Sequence, residues 1–279
     1  MTVKVVTDSV CDIPQDLAEE LGITVIPIYV HFGEESYRDG VDISKEEFFQ
    51  KLKASPAFPT TSVPSIGEVM EVYEKLAEET DEIASVHLTP PLSAICDVAL
   101  QAKEQLGRGC RVEVIDTRAA TAQEGLIVIA AAKLAKEGMS LDQLVSEVHC
   151  IIPRAHLRVA FDTLEYLAKG GRIGRAQAFM GSLLRVHPIL GVKDGEVVPV
   201  ARERSRARAI NYLYNFVASF NNIRELAVGD AVTPDEAEML AERLASIYPK
   251  ERIYRLSVGC VTGAHVGPHA LGVALIEGE

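Results

Sequence analysis

The side chains best suited to hold a small anion lie in six short loops that are rich in hydroxyl groups or glycine. The loops are Asp8-Ser9, Thr60-Thr61-Ser62, Leu92-Ser93, Asp116-Thr117, 169–174 and 263–268. Each is expected near the end of a strand, where open α/β sheets bind their ligands. For any single loop the simpler interpretation is that its Ser or Thr caps the following helix. The two glycines before Arg172 favour a sharp turn that presents the guanidinium group.

Several familiar catalytic and cofactor motifs are absent from the sequence. It contains neither the G-x-x-x-x-G-K-S/T loop that cradles phosphates nor a G-x-G-x-x-G after the first strand, so no ATP or dinucleotide site is predicted. Gly267 and Pro268 separate His265 from His269 and exclude the continuous helix that would place both on one face of a zinc site. Ser93 and His265 are the types of residue found in hydrolase triads, but no G-x-S-x-G elbow is present. We therefore expect no metal and no cofactor.

Composition and charge narrow the class of protein. The 279 residues include 28 basic and 40 acidic side chains, a net charge of −12. This balance argues against nucleic-acid binding, which needs clustered Lys and Arg. The hydrophobic content of 48% includes only 6% aromatic residues and no Trp, which favours helices packed on a buried sheet. Five scattered cysteines without a CxxC pair, and no apolar run of spanning length, predict a cytoplasmic protein.

The first 150 residues alternate strand-like and helix-like segments, which is typical of a parallel sheet with helices on both faces. Ser44 and Ser65 are each followed by Glu three residues later, and this capping-box spacing predicts helices that begin near 45 and 66. The intervening residues 55–65 are rich in Pro, Ser and Thr and predict a loop. The β-branched segment 23–32 predicts a strand interrupted at Pro27.

From residue 151 onward the pattern changes. Asp194-Gly195 lies between two apolar runs and predicts an antiparallel hairpin. The predicted fold class is α/β with two domains, 1–152 built on a parallel sheet and 153–279 on a mixed sheet. No Gly/Ser-rich or charged linker separates the halves, so the crevice between them is the expected ligand site.

In combination these loops resemble the DegV family of fatty-acid-binding proteins, which serve as acyl carriers for bacterial fatty acid kinase. The resemblance extends over nearly the whole chain. The motifs that carry it are TDSVCD at 7–12, TSVPS at 61–65, VIDT at 114–117, DTLEYLAKGGRIG at 162–174, GSLLRVHPIL at 181–190 and GAHVGP at 263–268. It implies two α/β domains with one fatty acid between them.

Carried over position by position, the resemblance implies that the fatty-acid carboxylate is bound by Thr61, Ser62, Ser93 and His265. Arg172 would lie near the head group, where the phosphoryl group is transferred. In the family a separate kinase brings its own ATP and converts the carboxylate to an acyl phosphate, which accounts for the missing phosphate loop. The chain is then expected to be a binding subunit rather than an enzyme, with a long-chain fatty acid as its ligand.

Basic residues are concentrated in one part of the chain. Residues 151–210 contain eleven Lys and Arg against five Asp and Glu, a net of +6, whereas the rest contains 17 against 35, a net of −18. A solvated helix face is an adequate explanation for Arg206 and Arg208.

Other arginines of this basic zone are predicted to bind a partner. The family's basic pair after the hairpin matches Arg202 and Arg204, which we expect to dock the kinase together with Arg175. The zone also suits transient contact with an anionic membrane surface during loading, because basic segments are attracted to such headgroups.

Four positions near the predicted head-group site depart from the family pattern. Ala94 and Ile95 replace the usual Gly-Thr, and both Gln123 and His269 stand where Gly is more usual. If Gln123 or His269 points inward, it shortens the cavity or favours a more polar acid. Two other functions also stay open: a lipid-responsive regulator without a kinase, and a small-acid enzyme that uses Ser93 or His265.

Overall fold

The computed structural model describes residues 2–107, 109–182 and 186–278, and within them the strands form three sheets. The strands are β1 (Lys4–Asp8), β2 (Ile23–Ile26), β3 (Tyr29–Phe32), β4 (Glu35–Arg38), β5 (Thr60–Ser62), β6 (Glu82–His87), β7 (Arg111–Asp116), β8 (Ala155–Ala160), β9 (His187–Lys193), β10 (Glu196–Glu203), β11 (Ile223–Asp230), β12 (Ile253–Arg255) and β13 (Leu271–Glu277). The helices are α1 (Gln15–Leu21), α2 (Lys45–Ala54), α3 (Ile66–Ala77), α4 (Ile95–Gln105), α5 (Thr121–Lys136), α6 (Leu141–Ile151), α7 (Glu165–Lys169), α8 (Arg206–Ala218), α9 (Pro234–Leu244) and α10 (Cys260–Val266).

The first sheet is parallel, with strand order β2-β1-β6-β7. Its strands are apolar because both faces are covered. Val6 packs with α3 and α4 on one face, and Val5 packs with α5 and α6 on the other. The prediction of a parallel sheet with helices on both faces is therefore confirmed.

The predicted strand 23–32 is two strands that belong to different sheets. β2 joins the parallel sheet, whereas β3 is the middle strand of an antiparallel sheet in the order β4-β3-β5. Pro27 lies between them and has no N–H to continue a ladder. The loop predicted over 55–65 is also wrong in part, because residues 60–62 form the edge strand β5.

The second half of the chain forms a mixed sheet in the order β10-β9-β8-β13-β11-β12, in which only the β11–β12 pair is parallel among the described strands. The predicted hairpin is confirmed: Asp194 and Gly195 both have positive φ, 52° and 81°, as a tight hairpin turn requires. Strand β8 and helix α6 were not predicted. The domain boundaries at 152 and 153 stay a prediction.

Helix α5 lies between the two large sheets and packs on both. Its Ala-rich surface contacts β1 on one side and β8, β11 and β13 on the other. Small side chains allow this close approach from two directions. Helices α8 and α9 cover the opposite face of the mixed sheet.

The predicted helix starts near 45 and 66 are confirmed. The side chains of Ser44 and Ser65 each accept a hydrogen bond from the backbone N–H of the Glu three residues later. The side chain of that Glu in turn accepts a hydrogen bond from the backbone N–H of the serine. The described helices include none that is both long and apolar enough to cross a membrane. The motif at 181–190 and the basic zone include residues 183–185, so Arg185 lies outside the described residues.

Candidate functional site

A cavity of about 310 Å³ lies where elements from both halves of the chain meet. This volume is at the lower end of the roughly 300–1,000 Å³ typical of ligand pockets. Its walls are mainly apolar: Val10, Ile28, Val63, Leu88, Leu92, Ala94, Ala120, Leu157, Val159, Phe161, Leu167, Leu190, Val192, Val197, Val261 and Val266. None of the described residues that line it is acidic.

All five residues predicted to surround a head group line this one cavity. They are Thr61, Ser62, Ser93, Arg172 and His265. They come from four separate segments of the chain, so the fold brings together what the sequence keeps apart. Two further polar wall residues, Thr121 and Thr262, were not predicted.

Thr61 and His265 form a direct pair. The hydroxyl oxygen of Thr61, on β5, lies 2.9 Å from Nε2 of His265, on α10. Burial, and next the charge of Arg172, lower the pKa of His265 from 6.5 to about 4, so the imidazole is neutral at pH 7. In the tautomer with the proton on Nε2, the ring donates to Thr61 and leaves the threonine O–H free to donate to an anion.

The other ring nitrogen of His265 packs against backbone. A Cβ at Gly170 would lie 2.3 Å from Nδ1, so this position requires glycine for the close approach. Nδ1 is buried and has no hydrogen-bond partner among the described residues. The first glycine before Arg172 therefore makes room for His265, and the second, Gly171, supplies a positive φ of 71°.

Arg172 is fixed by main-chain acceptors. Its Nε donates to the carbonyl of Leu92 at 3.2 Å, and Nη1 donates to the carbonyl of Gly170 at 2.8 Å. A guanidinium group has five N–H donors, so these two bonds leave others free. The contact with Leu92 also places the arginine beside Ser93.

Ser93 serves the start of a helix as well as the cavity wall. Its hydroxyl accepts from the N–H of Ile95 at 3.3 Å, a local turn just before α4, whose N-cap is Ala94. A serine hydroxyl that accepts one bond still has its own proton to donate.

Ser62 differs from its neighbour Thr61. Side chains alternate across a strand, and Thr61 pairs with the buried Val30, whereas Ser62 pairs with Tyr29 on the other face. The Ser62 hydroxyl lies 2.8 Å from Nε2 of His31 and the residue is exposed. The contact with His31 was not predicted, because it depends on the unpredicted strand β5.

Two of the six predicted loops support the site from behind. The buried Asp8 carboxylate accepts from the N–H of Leu88, a cavity wall residue, at 3.1 Å and lies 3.0 Å from Nδ1 of His87. The hydroxyl of Thr117 donates to the carbonyl of His87 at 2.9 Å. Neither Asp8-Ser9 nor Asp116-Thr117 lines the cavity.

The departures from the family pattern have little access to the cavity. Gln123 donates its amide to the carbonyl of Ala155 at 2.8 Å, and His269 is exposed on the turn after α10. Neither lines the cavity, and neither does the fully buried Ile95, whereas Ala94 does.

The arginines predicted to dock a partner lie away from the cavity wall. Arg175, Arg202 and Arg204 are all exposed. The Arg202 guanidinium stacks over the Phe179 ring at 4.0 Å from its centroid, which fixes the direction of the charge at the surface.

Arg206 corrects one expectation. Its guanidinium lies 2.6 Å from Glu236 and 3.6 Å from Asp162, and its side chain is only 19% exposed. The solvated face expected for Arg206 is therefore wrong, whereas Arg208 is exposed. Within the described part of the chain, no three His, Cys, Asp or Glu residues are grouped to hold a metal ion.

Comparisons with known proteins agree with this fold. The DegV family model matches residues 2–278. A DegV domain-containing protein of Caldanaerobacter subterraneus is 38% identical over 279 residues, 99% of each chain. A DegV family protein from Thermus thermophilus, described as fatty acid binding, has 36% identity and a TM-score of 0.90 over 99% of this chain and 100% of its own. DegV of Bacillus subtilis, described as a fatty acid binding protein, has 32% identity and a TM-score of 0.89, with 100% of each chain covered. The chain therefore belongs to the DegV family.

Proposed function

We propose that this protein binds a long-chain fatty acid in the cavity, with the carboxylate at Thr61, Ser93, Arg172 and His265. One observation carries the proposal: these polar groups line one mainly apolar cavity. Thr61 bonds to His265, and Arg172 bonds to the carbonyl of Leu92, the residue before Ser93. Burial, and next the charge of Arg172, lower the pKa of His265. Ser62 also lines the cavity, but its hydroxyl must give up its hydrogen bond with His31 before it can contact a ligand.

The apolar walls suit the hydrocarbon tail. At about 0.8 kcal/mol per buried methylene, roughly fourteen CH₂ groups contribute on the order of 11 kcal/mol before the cost of association. Leu157, Val159 and Leu190 extend the apolar lining onto the mixed sheet. The tail therefore supplies most of the affinity and the head group sets the orientation.

The head-group cluster suits a carboxylate that must stay reactive. The hydroxyl groups of Thr61 and Ser93 can donate hydrogen bonds to the ligand without adding charge. The neutral imidazole of His265 acts through Thr61, to which it donates its own hydrogen bond. Arg172 is one cation whose side chain is already bonded to two carbonyls, so it is not committed to a tight bidentate pair with the ligand. The carboxylate oxygen keeps its nucleophilic character, and the arginine offsets the charge of an arriving phosphoryl group.

We further propose that the carrier acts with a separate ATP-dependent fatty acid kinase. The sequence resemblance supports this role, and the exposed Arg175, Arg202 and Arg204 provide a basic surface for docking. A stand-alone enzyme is less well supported, because His265 Nε2 is bonded to Thr61 and not to Ser93, whereas a catalytic base must contact its nucleophile.

Native mass spectrometry of gently purified protein tests the binding function. We expect a mass excess that matches a fatty acid and disappears on delipidation. Reconstitution with a fatty acid kinase and ATP should then yield acyl phosphate. Binding without any acyl phosphate would favour the regulatory alternative, and hydrolysis of generic esters that Ser93→Ala abolishes would favour the enzyme.

A further inference from the structure

Helix α10 contributes more to the cavity than any predicted loop. Its residues Val261, Thr262, His265 and Val266 all line the wall, and His265 forms half of the pair with Thr61. The position of this short helix therefore sets the geometry of the head-group cluster.

Asp39 holds the start of α10 from the first half of the chain. Its carboxylate accepts from the N–H of Cys260 at 2.9 Å and from the N–H of Val261 at 3.2 Å. Asp39 follows strand β4 and is only 7% exposed. A buried carboxylate with two main-chain donors is a strong and directional anchor.

Asp12 holds the same turn from a second direction. Its Oδ1 accepts from the N–H of Gly259 at 2.9 Å and from the Thr262 hydroxyl at 3.1 Å. Asp12 is the last residue of the TDSVCD motif, and the proposed function gives that residue no role. Burial, and next to it the charge of Asp39, raise the pKa of Asp12 to about 8, as expected for two acids in one buried site.

The middle of α10 is fitted against α2. A Cβ at Gly263 would lie 2.8 Å from Phe48 and 2.9 Å from Phe49, so the helix backbone rests on these rings. With its start bonded to two aspartate side chains and its middle against two rings, α10 has one position.

We propose that Asp12 and Asp39 are positioning residues for the head-group site: by anchoring α10 they hold His265 against Thr61 in the cavity wall. They do not touch the ligand, so they act through α10. The effect on fatty-acid affinity rests on the proposed function, whereas the effect on His265 does not.

The first test compares Asp39→Asn with Asp230→Asn in the ligand-free full chain. Asp230 is a buried carboxylate that also accepts a main-chain N–H and a hydroxyl, from Thr233 and Ser257, but it lies outside the cavity wall. Histidine NMR titration reports on His265, whose signal is assigned with His265→Gln. We expect the low pKa of His265 to rise towards its ordinary value of 6.5 in Asp39→Asn and to stay low in Asp230→Asn.

Gly259→Ala provides a second variant that keeps both carboxylates. The added Cβ would lie 3.1 and 3.3 Å from the two Asp39 oxygens and 3.4 Å from Asp12, so it displaces the anchor. We expect the same rise in the His265 pKa, and at least tenfold weaker fatty-acid binding in both anchor variants. Folded variants whose His265 titration matches the wild type would overturn the proposal. If the anchor variants show the shifted titration but the wild-type protein itself binds no fatty acid, the anchoring role stands and the proposed function is refuted.

Discussion

Adjacent hydroxyl residues of the TSVPS motif have different surroundings, and this difference decides what each can do. Thr61 faces inward and bonds to a neutral imidazole, whereas Ser62 lies on the outer face of β5 with His31. The resemblance assigned both to the carboxylate, because a motif does not specify which residue of a strand points inward. That assignment depends on the pairing of β5 with β3, which a three-residue edge strand does not signal in the sequence.

Thr61→Val and Ser62→Ala form a matched pair. Valine keeps the shape of threonine but removes the O–H, so we expect fatty-acid affinity to fall roughly tenfold, about 1.5 kcal/mol for one hydrogen bond to a charged group. Ser62→Ala should change affinity by less than about twofold. Calorimetric titration with a fatty acid checks both, and equal losses would show that the Ser62 hydroxyl turns inward on binding.

The partly buried His265 makes stability depend on pH. The unfolded chain takes up this proton near pH 6.5 and the folded chain only near pH 4, so the folded state loses stability as the pH falls through that interval. The loss approaches about 3 kcal/mol by pH 4. Urea unfolding at pH 7, 5.5 and 4.5 should show a smaller loss for His265→Gln than for the wild type. Parallel losses in the two proteins would contradict the buried, neutral state of the ring.

Elements with strong local signals could be predicted, and those that depend on distant partners could not. The capping boxes at Ser44 and Ser65 and the Asp194-Gly195 turn act within a few residues, so the sequence alone indicates them. Helix α10 looked like a glycine loop because its Gly263 is required by α2, more than 200 residues earlier in the chain. The fold class and five of the polar cavity residues were predictable, whereas the hydrogen-bond partners of those residues were not.

Gly170→Ala tests the packing of α7 against α10. The new methyl group would meet His265 Nδ1 at 2.3 Å and the Tyr166 carbonyl at 3.1 Å. We expect a destabilisation of about 2 kcal/mol, within the range for overpacking, together with weaker fatty-acid binding. Gly67→Ala is the control, because its Cβ would meet nothing closer than 3.9 Å and alanine favours a helix. Thermal unfolding of both variants measures this destabilisation. A Gly170→Ala protein as stable as the control would contradict this packing.

For the whole molecule, the net charge of −12 conceals an uneven distribution. The basic zone of residues 151–210 includes Arg172, which lines the cavity, and Arg206, which forms an ion pair with Glu236. Arg202 and Arg204 are exposed at the surface. Their positive charges would attract an acidic partner that the rest of the acidic surface would repel. The zone thus separates into structural, ligand-binding and surface charges, a division that the count of charges did not reveal.

Charge reversal at Arg202 and Arg204 tests the docking surface. The double change to Glu should reduce acyl phosphate formation at least tenfold at low salt and leave fatty-acid binding unchanged, because neither residue lines the cavity. Arg208→Glu, an exposed residue of the same zone, is the control. The defect should lessen at high salt, where exposed charges are screened. Normal acyl phosphate formation by the double variant would contradict a docking role for Arg202 and Arg204.

Helix α5 packs on both large sheets, and this arrangement determines how the molecule unfolds. Because one buried helix belongs to the cores of both the parallel and the mixed sheet, neither sheet can unfold while the other keeps its packing. Unfolding should therefore be a single cooperative transition. Under the proposed function, a fatty acid bound only by the folded chain raises the stability of both sheets together, in proportion to the logarithm of its free concentration once the site is nearly saturated.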